Sequence, residues 1–136
     1  MTRVGRLLLR CHIGCLALVL PDASKLLPLK KLLAWMTPRR SLGWYREVSE
    51  QEIVDLVQRR LAHPLRMRGR RCLREGLLCF YFLRLVGVPA ELHFGVFVRN
   101  RGRELAHCWV VVQGRSVTLP PQDDYMLILR HGVSAS

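Results

Sequence analysis

The sequence contains a cysteine in a setting that would make it reactive. Cys72 follows a run of arginines and begins an apolar stretch that continues to Val86. A cysteine in the first turn of a helix is favoured as the thiolate, because the unpaired backbone N–H groups and the helix dipole stabilise negative charge there. Arg70, Arg71 and Arg74 add positive charge around it. Cys72 is therefore the candidate nucleophile.

A thiolate nucleophile needs a histidine that holds the ion pair and then protonates the leaving group. The sequence offers five, at His12, His63, His93, His107 and His131. Only His93 and His107 lie on a predicted β-hairpin, whose strands could present a histidine to the thiolate. His107 shares its strand face with Trp109, which can shield a catalytic pair from water, whereas we expect His93, beside Glu91, to be solvated. His107 is therefore the candidate base.

The other cysteines have simpler interpretations. Strand alternation turns Cys108 to the opposite face from His107, and Cys79 lies deep in the apolar helix, where a cysteine usually packs as a small hydrophobic residue. Cys11 and Cys15 share a helical face, but nothing nearby completes a four-ligand zinc set, so we expect no metal and no cofactor. From the residues alone, ordinary packing of a cysteine and a histidine remains an alternative to catalysis.

Composition limits the class of protein. The 136 residues are 50% hydrophobic, enough for one compact domain, and the formal net charge is +12. Much of the positive charge lies in one stretch, at Arg59, Arg60, Arg66, Arg68, Arg70 and Arg71. Such a stretch can attract nucleic acid, an anionic membrane or an acidic peptide. Without interleaved aromatics or a known nucleic-acid motif, we expect no nucleic-acid partner.

The cysteines and the N-terminus bear on location. Five cysteines form an odd set without the dense spacing of a secreted disulfide scaffold, which favours a reducing, cytosolic setting. The uninterrupted apolar run from Ile13 to Leu20 is much shorter than the roughly 20 residues of a membrane-spanning helix. We therefore expect a helix that is buried or that lies on a membrane surface, which leaves peripheral membrane contact open.

The pattern of the first half of the chain is helical. Residues 5–20 and 25–36 predict two helices, separated at Pro21 with Ser24 as a candidate N-cap, and residues 37–43 predict a linker. Ser49 and Glu52 then form a capping box for a third helix, which must end before the proline at position 64.

The second half changes from a helical to a strand period. The helix that begins at Cys72 is apolar nearly all round, so we expect it to be the buried central helix, ended by Gly87. Residues 92–98 and 105–112 alternate with period two and predict an antiparallel hairpin. Further short strands are predicted at 116–119, after a tight turn, and at 125–129.

Three segments resemble a known family: Cys72-Leu-Arg-Glu-Gly-Leu-Leu, Gly87-Val-Pro-Ala-Glu-Leu-His-Phe-Gly-Val, and Ala106-His-Cys-Trp-Val-Val-Val-Gln-Gly-Arg. They resemble the transglutaminase-like superfamily, specifically the B2 leader peptidases of lasso-peptide biosynthesis. The resemblance implies an α+β, papain-like fold, with N-terminal helices and a buried central helix packed on a small antiparallel sheet. It implies one domain over 1–136, with a helical extension at 1–43 and a catalytic core at 44–136.

The resemblance also implies a Cys-His-Asp triad, with Cys72 as nucleophile and His107 as base. The family's aspartate is expected shortly after the glycine turn, but this chain has Thr118 and Leu119 near that place. Asp123 and Asp124 follow within a few residues and are the remaining candidates for the third member. A solvated loop is the alternative interpretation of these two aspartates.

As a function, the resemblance implies a cytoplasmic cysteine peptidase that removes the leader from a ribosomally made precursor peptide. Because the first 68 residues look helical, we expect leader recognition by a separate protein, and the family further implies a cyclase as partner. Two alternatives remain open: a non-catalytic peptide-binding scaffold on the same fold, favoured by the missing aspartate and the basic surface, and an acyl transferase that uses an amine as acceptor.

Overall fold

The computed structural model describes residues 3–39, 45, 47–62, 71–97, 106–118 and 125–132, except for the side chains at positions 71, 72, 97, 106 and 125. Within these ranges it contains helices and one antiparallel sheet, which confirms the α+β class. The elements are α1 (Arg3–Leu26), α2 (Leu29–Trp35), α3 (Glu50–Leu61), α4 (Arg71–Leu85), β1 (Ala90–Phe97), β2 (Ala106–Val112), β3 (Arg115–Ser116) and β4 (Tyr125–His131).

The first helix is longer than predicted. α1 continues through Pro21 to Leu26, and the prediction of a break there was wrong. Leu20 is fully buried, so packing holds the helix on its course although a proline removes one backbone hydrogen bond. Ser24 does not cap α2, because its hydroxyl donates to the carbonyl oxygen of Pro21 at 2.8 Å. The residue that precedes the first turn of α2 is Pro28.

α3 begins as its sequence predicts. Ser49 is the N-cap in an extended conformation, and its hydroxyl oxygen accepts a hydrogen bond from the backbone N–H of Glu52 at 3.2 Å. The apolar positions of the helix, Ile53, Val54 and Val57, are buried. This face packs against α4 and α1, so α3 connects the N-terminal helices with the centre of the molecule.

α4 is the buried central helix, as predicted. Leu77, Leu78, Phe80, Phe82 and Leu83 are all fully excluded from solvent. Burying a large apolar side chain contributes about 1.5–3 kcal/mol, so these five positions are a main source of stability. The helix ends where Gly87 adopts a positive φ of 94°, a conformation that glycine accepts without strain.

The sheet has the order β3-β2-β1-β4, with antiparallel pairs throughout. The predicted hairpin of β1 and β2 is confirmed, and the tight turn at Gln113 and Gly114 has positive φ at both residues, as a two-residue hairpin turn requires. β3 is shorter than predicted, with two residues. β4 runs on to His131 and lies on the outer side of β1.

One buried cluster joins all the layers. It includes Leu9, Ile13 and Leu20 of α1 and the core-facing residues of α3, α4 and the sheet. α1 therefore packs as part of the folded unit along its inner face. By length and composition α1 could also cross a membrane, but a core helix or a signal sequence would pass the same test.

Candidate functional site

Cys72 is the second residue of α4, in the first turn of the helix, where the sequence places it. The first N–H groups of a helix have no intrahelical acceptor, so this turn offers donors and a positive partial charge to a thiolate or an oxyanion. The backbone of Cys72 is described, whereas its side chain lies outside the described part of the structure.

The position of α4 on the sheet is fixed by a very close approach at Gly76. A methyl group at this position would lie 2.6 Å from Sγ of Cys108 and 3.2 Å from Cδ1 of Leu92, so only glycine lets the helix come this near. Cys108 is the residue after His107. The helix therefore rests on β2 directly beside the candidate base.

The helix and β2 run in the same direction, which determines which ends meet. Gly76 faces Cys108, and nearer the other end of α4 the guanidinium of Arg84 donates to the carbonyl oxygen of Ala90 at 3.0 Å. Ala90 is paired with Val112, the last residue of β2. Cys72 precedes Gly76 by about one helical turn, roughly 6 Å along the axis. The start of α4 and the start of β2 therefore lie at the same end of their contact.

His107 is half-buried on β2, and its ring stacks on Trp109, with the two ring centroids 6.0 Å apart and an angle of 19° between the planes. Trp109 is itself buried and lies over Gly95, where an added methyl group would meet the indole at 3.1 Å. Gly95 pairs with His107 in the register of the sheet. Gly95 therefore makes room for the indole that supports the imidazole, and this confirms the predicted sharing of a face.

The two faces of β2 have different partners. The predicted alternation is confirmed, because Cys108 faces α4 while His107 and Trp109 point to the other face of the sheet. The side chains of Cys72 and His107 could therefore meet only at the end of the sheet where β2 begins, because elsewhere the sheet separates its two faces.

His93 lies on the same face as His107, and the prediction that it is solvated was wrong. It pairs with Trp109 in the sheet, and its ring meets the indole edge-on at a centroid distance of 5.7 Å. Its Nε2 is buried without a hydrogen-bond partner among the described residues, 3.9 Å from Glu91. Burial lowers the pKa of His93, against the opposing effect of Glu91. Trp109 is thus flanked by two imidazoles, one from each strand of the hairpin.

The remaining predicted site residues have separate positions. Thr118, near the place where an aspartate is expected, is buried, and its hydroxyl oxygen accepts a hydrogen bond from the backbone N–H of Val110 at 2.9 Å. This bond ties the segment after β3 to β2, so Thr118 has a structural role. Asp123 and Asp124 lie outside the described residues.

Cys79 is fully buried, and burial raises the pKa of its thiol well above the ordinary value. The interpretation of Cys79 as a small core residue is therefore confirmed. Cys11 and Cys15 are exposed on α1. Within the described ranges, no group of three or more His, Cys, Asp and Glu side chains has the arrangement of a metal site.

Two further histidines pack in the core region. The ring of His12 meets Phe82 edge-on at 4.9 Å, and burial lowers its pKa. The Nε2 of His131 forms a 2.8 Å hydrogen bond with the hydroxyl of Thr37, and its ring lies 5.4 Å from the ring of Phe80. Both histidines therefore hold elements together, far from the start of α4.

The basic stretch lies partly outside the described residues, but two of its members form a groove. Arg59 and Arg60 of α3, with Arg10 of α1, surround a depression of about 320 Å³ whose floor is formed by Ile13 and Leu56. Three guanidinium groups around an apolar floor suit an anionic, partly apolar ligand such as an acidic peptide.

Comparison with known families finds that the family model described as Transglutaminase-like superfamily matches residues 16–130. The match includes the C-terminal part of α1, all of α2, α3, α4, β1, β2 and β3, and β4 up to Arg130, and it contains both candidate residues, Cys72 and His107. Searches of curated proteins and of solved structures gave no match.

Proposed function

Because this chain belongs to the transglutaminase-like superfamily, whose papain-like cysteine enzymes are of the protease or acyl-transferase type, we propose that it is a cysteine peptidase of peptide maturation. Its substrate is the precursor of a lasso peptide, from which it removes the leader. Cys72 is the nucleophile and His107 the base. In this role the protein acts in the cytoplasm, with a separate leader-recognition protein and a cyclase as partners.

The chemistry follows from the groups at this end of the molecule. The Cys72 thiolate attacks the carbonyl carbon of the scissile peptide bond, and the imidazolium of His107 gives its proton to the departing amine. Unpaired backbone N–H groups at the start of α4 can donate to the oxyanion that forms on the carbonyl oxygen. Water, deprotonated by His107, then hydrolyses the thioester and releases the leader acid.

One observation supports this assignment more than any other. The contact between Gly76 and Cys108 places the first turn of α4 beside the first residues of β2, and these elements carry Cys72 and His107. The stacking of His107 on the buried Trp109 restricts the imidazole, which lowers the entropy lost when it takes part in the reaction.

Asp123 and Asp124 are the proposed candidates for orienting the imidazole. An orienting carboxylate holds the tautomer and stabilises the imidazolium, but it contributes less than the nucleophile or the base. Replacing the true partner with asparagine is therefore expected to slow cleavage, while the same change at its neighbour leaves the rate nearly unaltered.

The test is cleavage of a lasso-peptide precursor by this protein, with a leader-recognition protein present, followed by mass spectrometry. Wild-type protein is expected to release the leader, while Cys72→Ala and His107→Ala each lose at least about a thousandfold in rate. Cys11→Ala, a change at an exposed cysteine far from the site, is the matched control and retains full activity. Cleavage that survives Cys72→Ala would refute the assignment.

An added primary amine separates the peptidase from the transferase. A peptidase yields the free leader acid at every amine concentration, whereas a transferase yields the leader amide in proportion to the amine. If the amide is the main product, the reaction is acyl transfer from the same Cys72 thioester and not hydrolysis.

The arginine groove favours a second candidate, a non-catalytic scaffold that binds acidic peptides. Arg10, Arg59 and Arg60 would then form the functional surface, and Cys72 would be dispensable. Binding of the leader that depends on Arg59→Ser and Arg60→Ser but not on Cys72→Ala, without any cleavage, is the result that this alternative predicts.

A further inference from the structure

The outer face of α1 is apolar although nothing in the described structure covers it. Its exposed large residues are Val4, Leu7, Leu8, Leu18, Val19 and Leu26, and we call this set the outer stripe. Their exposed fractions run from 45% for Leu8 to 82% for Leu26. Large apolar side chains that are scattered singly on a surface are ordinary, but a contiguous row of them marks an interaction surface.

The outer stripe is distinct from the face by which α1 joins the core. Leu9, Ile13 and Leu20 point inward and are almost completely buried. At 3.6 residues per turn, these three positions fall on the opposite side of the helix from Val4 and Leu18. α1 therefore has two apolar faces, one packed on α3 and α4 and one exposed.

Basic side chains accompany the outer stripe. α1 and α2 together contain six of them and a single acidic residue, Asp22. The basic residues, all exposed, are Arg3, Arg6, Arg10, Lys25, Lys30 and Lys31. Arg6 lies toward α3, 3.4 Å from the carboxylate of Glu52, and Arg10 lines the arginine groove, so the other four are those that can face an anionic surface beside the outer stripe. α2 adds an exposed tryptophan, Trp35, of the kind that prefers the boundary between water and lipid. Apolar residues with Lys and Arg beside them are typical of helices that lie in the headgroup region of a membrane.

We propose that the outer stripe of α1 docks this protein on an anionic lipid surface, with the helix axis parallel to the membrane. The inner face of α1 is committed to the core, so the helix lies on the bilayer and does not cross it. A second copy of the chain fits this face less well, because pairing two outer stripes would bring their basic side chains together with too little counter-charge, since Asp22 is the single acidic residue of α1 and α2. Anionic headgroups supply that counter-charge.

The test is flotation of the full-length protein with vesicles of phosphatidylcholine, with and without about one third phosphatidylglycerol. Wild-type protein is expected to float with the anionic vesicles, and to be released by salt, because surface charge interactions are screened. Leu18→Glu is expected to lower the vesicle-bound to free ratio by about tenfold or more, since it removes an apolar side chain from the lipid and adds a charge that anionic headgroups repel.

Ile128→Glu on β4 is the matched control. Leu18 and Ile128 are both 57% exposed, so the same change introduces the same charge at equal exposure, and unchanged far-ultraviolet circular dichroism shows that both variants fold. Binding that persists in Leu18→Glu, or that falls equally in Ile128→Glu, would overturn the assignment of the outer stripe. If wild-type protein does not float, or if it forms a dimer in solution that Leu18→Glu dissociates, the proposal that the outer stripe binds a membrane is refuted.

Discussion

Replacing Gly76 with alanine tests the contact that positions the candidate site. The new methyl group would lie 2.6 Å from Sγ of Cys108, closer than two such atoms can approach, so α4 and β2 must move apart or Cys108 must rotate. Overpacking of this kind costs about 1–3 kcal/mol, whereas exchanging glycine for alanine inside a helix stabilises it by about 1 kcal/mol. The net expectation is a loss of up to about 2 kcal/mol of unfolding free energy.

Cys108→Ala removes the sulfur that the methyl group meets, so the same glycine replacement should behave differently in that background. The contact with Cδ1 of Leu92, at 3.2 Å, then requires only a small adjustment. We expect Gly76→Ala to become neutral or stabilising by up to about 1 kcal/mol, which corresponds to a coupling of about 1–3 kcal/mol between the two positions.

The assay is urea unfolding of the four proteins of this double-mutant cycle, followed by circular dichroism. Gly14→Ala is the control, because a methyl group there would lie 3.4 Å from Nε of Arg60, an ordinary contact, and should stabilise α1 by about 0.5–1 kcal/mol in either background. An equal effect of Gly76→Ala with and without Cys108 would refute the close approach of α4 to β2, and with it the placement of the site.

Two further predictions concern stability. Ser49→Ala removes the acceptor for the N–H of Glu52 and should lower the unfolding free energy by about 1 kcal/mol, measured by urea unfolding; no change would contradict the cap. Burial lowers the pKa values of His12, His93 and His131 below 6.5, so the folded state prefers the neutral rings. The three neutral rings contribute fully to the stability of the folded state above pH 6.5, and this contribution is lost as the pH falls through their lowered pKa values. The urea midpoint should therefore decrease as the pH is lowered from about 7.5 to 5, and a midpoint that increases would contradict the direction of these pKa shifts.

The elements that could be predicted most accurately from the sequence are those that local patterns determine. The cap at Ser49, the hairpin of β1 and β2 and the buried helix α4 each follow from short-range spacing of polar and apolar residues. The break at Pro21 was wrong because Leu20 packs into the core, and this tertiary contact outweighs the local effect of a proline. The full length of β4 was missed because β1 supplies its hydrogen bonds from a distant part of the chain.

The candidate site was predictable to a different degree. The helix-start position of Cys72 and the shared face of His107 and Trp109 are properties of single elements, which periodicity reveals. The burial of His93 depends on how two strands meet around Trp109, and the approach of α4 depends on one glycine. Neither property is visible in the spacing of residues along one strand or helix.

Alkylation of Cys72 by iodoacetamide tests the central claim most directly, because it needs neither substrate nor partner. The exposed cysteines Cys11 and Cys15 are internal standards in the same molecule, read by peptide mass spectrometry. Near pH 6, Cys72 is expected to react at least about tenfold faster than these standards, and His107→Gln is expected to remove that advantage. A Cys72 that reacts no faster than the standards and does not respond to His107→Gln would contradict the nucleophile–base pair.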